Sequence, residues 1–125
     1  MSSLPAKAPK VVRQAIVEAL ADPNRRFLDR ASNSGNWLIK WGLTEKQIYQ
    51  ELITGLTHSD LLFTKQQQHG KPMVYQCILD WPDDGDDFPA ILIHVTLAPR
   101  GEPPRVRVAL HPSDTIRHLP ALPIA

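Results

Sequence analysis

The chain has 125 residues, 42% of them hydrophobic, with 14 Lys and Arg against 13 Asp and Glu for a formal net charge of +1. That is enough apolar material for one modest core, and no run of about 18 apolar residues is present to cross a bilayer, so a single domain away from the membrane is expected. Charge is uneven: residues 1–71 carry ten Lys and Arg against six Asp and Glu, and residues 72–125 carry four against seven, an asymmetry that can form a basic face but is too mild to identify a nucleic-acid partner.

Residues 1–9, MSSLPAKAP, are small, polar and Pro-containing and read as a flexible arm. With the residues that follow they lack the apolar stretch of a secretory leader, so the cytoplasm is the expected location. Regular periodicity starts at Lys10. Val12, Ile16, Ala19 and Leu20 fall on one helical stripe that Asp22-Pro23 stops. NRRFLDRA, from Asn24, reads as a second short helix behind an Asn cap, and SNSGN at 32–36 as a turn.

WGLTEKQIYQELITGLTHSD, residues 41–60, brackets a helix between two Gly-Leu pairs. Thr44 with Gln47 three positions on is a capping-box pattern, and Leu43 is placed to pack on Ile48 as a hydrophobic staple. Gly55 stands where a left-handed C-cap is wanted, so the first Gly-Leu is expected to start the helix and the second to end it. Ile48, Leu52 and Ile53 form the buried stripe, with Glu45, Lys46, Gln50 and Glu51 facing water.

Beyond residue 61 the period changes to that of strands. PMVYQCILDW (72–81), PAILIHVTL (89–97) and PRVRVALH (104–111) are β-branched, aromatic and alternating, with Pro, Gly and Asp clusters between them, and LLFTK (61–65) reads as a shorter strand. Cys77, the only cysteine, excludes an intrachain disulfide and, among apolar neighbours, reads as a buried core thiol. The order predicts an α+β domain over residues 10–113, with N-terminal helices on one face of a small antiparallel sheet. Residues 114–125 form a Pro-rich tail that either docks or stays loose.

Several familiar chemistries are absent. DWPDDGDDFP (80–89) holds five aspartates, but their spacing is not that of an EF-hand and a solvated loop is the plainer reading. The histidines at 58, 69, 94, 111 and 118 show no i, i+4 pair or H-x-H, so no metal is expected. GxSxG, phosphate-loop, CxxC and HExxH motifs do not occur.

Strand alternation supplies the remaining lead. Val106, Val108 and Leu110 point to one face, and Arg105, Arg107 and His111 to the other; Ile91, Ile93, Val95 and Leu97 likewise oppose Leu92, His94 and Thr96. If the helices take the apolar faces, Arg105, Arg107, His94 and His111 converge on the open face. Two guanidiniums and two imidazoles suit RNA cleavage, which needs a base for the 2′-OH proton, an acid for the leaving 5′-oxygen and cations for phosphorane charge. A solvated sheet face with scattered basic residues has the same composition, and residue types leave both readings open.

Trp41-Gly42-Leu43, ITGLTHSD (53–60), VYQ (74–76), ILIHVTL (91–97) and VRVALHPS (106–113) together resemble MqsR-type toxins, over roughly residues 30–113. These are ribosome-independent mRNA interferases of RelE-like fold that pair with an antitoxin. ITGLTHSD is the most specific segment. The resemblance implies a cytoplasmic endoribonuclease acting on single-stranded mRNA without a cofactor, with a cognate antitoxin protein as partner. The family's strand glutamine falls on Gln76 and its terminal basic residue on His111. Its lysine after Ser-Asp falls on Phe63, making Lys65 the nearest substitute for RNA binding beside Arg105, and its tyrosine falls near Leu92. These departures imply either a catalytic set rebuilt around Lys65, Tyr75, His94 and His111, with Arg107 and Gln76, or a non-catalytic interaction domain of the same fold.

Overall fold

The computed structural model describes residues 5–29, 42–65, 73–79, 90–98, 104–113 and 119–122. Helix α1 spans Lys10–Leu20 and buries Ile16, Ala19 and Leu20, the stripe that its periodicity predicts. Beyond it the chain departs from expectation. Arg26–Leu28 is strand β1, not part of a second helix. A helix this short is marginal on its own, because nucleation fixes several residues for one hydrogen bond. Here the sheet edge offers better partners: Val106 N–H donates to Arg25 O at 2.7 Å, and Asp29 N–H donates to Val108 O at 2.7 Å. The Arg26 guanidinium donates to Leu20 O at 2.7 Å and lies 4.4 Å from the Tyr49 ring centroid, holding the strand against both helices.

Helix α2 spans Glu45–His58. Its N-terminus is built as the sequence indicates: Gln47 N–H donates to Thr44 Oγ1 at 3.2 Å and Thr44 N–H to Gln47 Oε1 at 2.8 Å. Leu43 packs on the core that contains Ile48. Replacing Thr44 by Ala is expected to cost about 1 kcal/mol, read as a lower urea midpoint at unchanged m-value. A neutral result there would mean that the cap adds nothing to the folded state.

The C-terminal half of the bracket is different. Gly42 holds the left-handed backbone, at φ 68°, whereas Gly55 is buried inside the helix, which runs on to His58 and a Ser59 cap. A Cβ on Gly55 would sit 2.9 Å from Leu122 Cβ. The glycine is therefore required by close packing of the C-terminal tail, not by helix termination. Tyr49 and Leu56 also join the buried face, while Glu45 and Glu51 are half-buried and Lys46 and Gln50 exposed.

The six described strands form one sheet in the order β1-β5-β4-β3-β2, with β6 also beside β3. Here β2 is Phe63–Thr64, β3 Val74–Leu79, β4 Ala90–Ala98, β5 Arg105–Ser113 and β6 Ala121–Leu122. Strands β2 to β5 are the expected antiparallel meander. The sheet as a whole is mixed, because β1 and β6 join it in parallel; each is far enough in sequence from its partner for the crossover that parallel pairing needs.

Both ends of the chain are tied down where they are described. Residues 5–9 do not form a loose arm: Thr64 N–H donates to Ala6 O at 2.7 Å, Ala8 N–H donates to Leu62 O at 2.8 Å, and Lys7 pairs with Asp60 at 3.0 Å. The Lys7 hydrogen bond holds the exposed Asp60 carboxyl below its usual value. The extra pairing covers the outer edge of β2, which a two-residue strand would otherwise leave open. In the tail Leu119 and Leu122 are buried, so this part docks.

Strand register explains the core. Tyr75, Cys77 and Leu79 on β3, Ile93 and Val95 on β4, and Val106, Val108 and Leu110 on β5 alternate onto one face and cluster with Ile16, Leu20, Ile48, Leu52 and Leu56 of the helices. Burial pushes the Cys77 thiol up to about 12, so it is neutral and inert near pH 7. On the opposite face a second, smaller cluster joins Phe63, Ile78 and Leu119. No helix among the described residues is long and apolar enough to cross a membrane.

Candidate functional site

The face of the sheet turned away from the two described helices is divided in two. Its β2 end is closed by Phe63, Ile78 and Leu119, all nearly inaccessible. Its other end holds an open groove of about 290 Å³ lined by Asp29, Lys65, Val74, His94, Thr96, Arg107 and Ala109. The register builds the groove floor in rows. Val74, Thr96 and Arg107 lie side by side across β3, β4 and β5, and Phe27 on β1 continues the row. Gln76, His94 and Ala109 form the next row. Lys65 enters at one end of the first row because its N–H donates to Val74 O at 2.8 Å.

Three of the candidate residues, Lys65, His94 and Arg107, thus come from distant parts of the sequence to line one groove. Arg105 and Arg107 are both exposed while Val106 and Val108, which alternate with them, are fully buried, as alternation predicts. Gln76 is on the same face as His94 and directly opposite it. His111 occupies the β5 position paired with Leu92, and its side chain falls outside the described residues. The acidic segment 80–89 lies outside them as well.

Tyr75 does not belong to this group. It pairs with Val95 and Thr64 on the helix-facing side, is 9% exposed and sits in the main core, where desolvation raises its phenol above the usual value. A side chain on the wrong side of a sheet cannot reach a ligand in the groove. Phe63, at the position implied for a catalytic lysine, is fully buried in the small cluster and serves packing.

One groove residue was not legible beforehand. Asp29 directly follows β1, and its carboxylate accepts from both Nε and Nη2 of Arg107, the former at 3.0 Å. Its side chain is 11% exposed and that of Arg107 51%, so the carboxylate is embedded in the wall and the guanidinium reaches outward from it. Reading residues 24–31 as a helix hid this pairing; as a strand, Arg26-Phe27-Leu28-Asp29 alternates and brings Asp29 to the groove. Electrostatically, the site offers an exposed ammonium at Lys65, an anchored guanidinium, an imidazole and the Thr96 hydroxyl. That set can bind an oxyanion and move a proton.

The chain matches no family model, no curated protein and no solved structure.

Proposed function

We propose that this protein is a metal-independent endoribonuclease of the MqsR type, with a RelE-like arrangement of helices and sheet, that cuts single-stranded mRNA and is held in check by an antitoxin protein. The observation that carries the reading is the gathering of Lys65, His94 and Arg107 in one groove on the face opposite the described helices. In the reaction the ribose 2′-oxygen attacks the adjacent phosphorus, the P–O5′ bond breaks, and a 2′,3′-cyclic phosphate forms with a free 5′-hydroxyl. The 2′-OH proton goes to a base and the departing O5′ receives one from an acid. His94 and His111 supply these two transfers, and Gln76 supports the His94 row. Arg107 stabilises the charge that builds on the non-bridging oxygens. Lys65 and Arg105, both exposed, draw in the RNA backbone.

Lys65→Ala tests the binding half of this reading. It is expected to weaken binding of a short single-stranded RNA and to reduce the slope of log K against log salt by about 0.7, the contribution of one phosphate contact on a single strand. An unchanged slope would place the RNA elsewhere.

A second reading, a non-catalytic interaction domain, draws support from the Arg107–Asp29 pair. A guanidinium already engaged by a carboxylate serves structure as well as chemistry. Purified protein that binds a protein partner through this face but leaves RNA whole would favour it.

A further inference from the structure

Phe27 is 49% exposed, and an exposed phenylalanine by itself calls for no explanation. Its placement does. Among the described strands β1 is the last on its side of the sheet, and its register puts Phe27 beside Arg107, in the same row as Thr96 and Val74. Neighbouring strands are about 4.8 Å apart, so the ring stands on the same face as the groove, one strand beyond the guanidinium. Arg26 is turned to the other face, where it stacks on Tyr49, and Leu28 is buried; this fixes Phe27 outward. At about 290 Å³ the groove is at the lower end of the roughly 300–1,000 Å³ usual for small-molecule sites. It suits a phosphate and its sugar, and leaves the attached base to settle outside.

We propose that Phe27 is a stacking platform for an unpaired nucleobase whose neighbouring phosphate is held by Arg107. This rests on the groove being an RNA site and adds how the strand is held there: by a base free to leave its stack and lie on the Phe27 ring. A flat hydrocarbon ring accepts any base face, so the contact adds affinity with little sequence preference.

The test uses the full chain with two uncleavable probes, a 2′-O-methyl oligouridylate of about eight nucleotides and the same backbone with abasic sugars, read by fluorescence anisotropy. Stacking on one aromatic side chain is worth about tenfold in affinity. Phe27→Ala is expected to weaken binding of the base-bearing probe by about that factor and leave the abasic probe unchanged, while Phe27→Trp keeps wild-type affinity for both. An unchanged affinity of Phe27→Ala for the base-bearing probe, with the wild type binding it, overturns the stacking role and leaves the RNA groove standing. Equal losses on both probes overturn it too, since they point to a change in the groove itself. A wild-type protein that binds neither probe removes the RNA reading and this inference together.

Discussion

Arg107→Ala is expected to lower RNA cleavage by about 100-fold while also weakening the fold. The catalytic loss follows from removing the cation that meets developing negative charge on the phosphate, a contribution of order 10²–10³ for a preorganised donor. The structural loss comes from Asp29. Its carboxylate is embedded in the groove wall and takes two N–H donors from Arg107, and hydrogen bonds to a charged group are worth about 1.5–3 kcal/mol. The two effects separate in the Asp29→Asn/Arg107→Ala pair, which is expected to regain stability but not activity. Arg107→Lys keeps the charge and loses the fork that spans Asp29, so most of the activity should still be lost. Single-turnover cleavage, measured where circular dichroism shows each variant folded, provides the check. Full activity in folded Arg107→Ala would remove Arg107 from the chemistry.

The second large effect is at Gly55. Valine there places its Cβ 2.9 Å from Leu122 Cβ and 3.1 Å from Leu122 Cδ1. The first of these atoms sits next to backbone that is paired with β3 through Leu79. It cannot swing aside as a flexible chain end does, so either α2 shifts or the tail lifts off. Overpacking of this kind costs about 1–3 kcal/mol, and a loss of about 2 kcal/mol corresponds to a melting temperature roughly 5–10 °C lower. Because the cause is contact with Leu122, Leu122→Gly should make the Gly55→Val cost sub-additive in a double-mutant cycle. A neutral Gly55→Val, or fully additive costs, would mean that the tail does not press on this glycine in solution.

Gly55 also shows where local reading stopped being informative. From sequence it resembles a helix terminator, because a glycine followed by a polar segment is the usual C-cap pattern. What decides its role is Leu122, 67 residues later in the chain by the difference of their numbers, and no local pattern carries that. The Thr44 cap, by contrast, is readable because both of its reciprocal bonds are with Gln47, three residues on. Strand alternation was equally local, which is why Arg105 and Arg107 were placed outward and Val106, Val108 and Leu110 inward.

The site divides along the same line. His94 and Arg107 could be assigned to the open face from their own strands, and register then brought them together. Tyr75 was misplaced because the resemblance, rather than the β3 alternation, nominated it; alternation with buried Cys77 puts it in the core. Asp29 and Phe27 were missed because three residues of β1 are too few to show a period, and a parallel edge strand takes its identity from the partner it meets.

The measurement that bears most directly on the account is cleavage of a single-stranded RNA by the purified protein in excess EDTA between pH 6 and 8, with analysis of the new ends. The account predicts cutting that EDTA does not stop, 5′-hydroxyl ends, and 2′,3′-cyclic phosphate or its 3′-phosphate product on the other fragment, diminished by His111→Ala and Arg107→Ala. RNA left intact across that pH range, from protein shown to be folded, would contradict it.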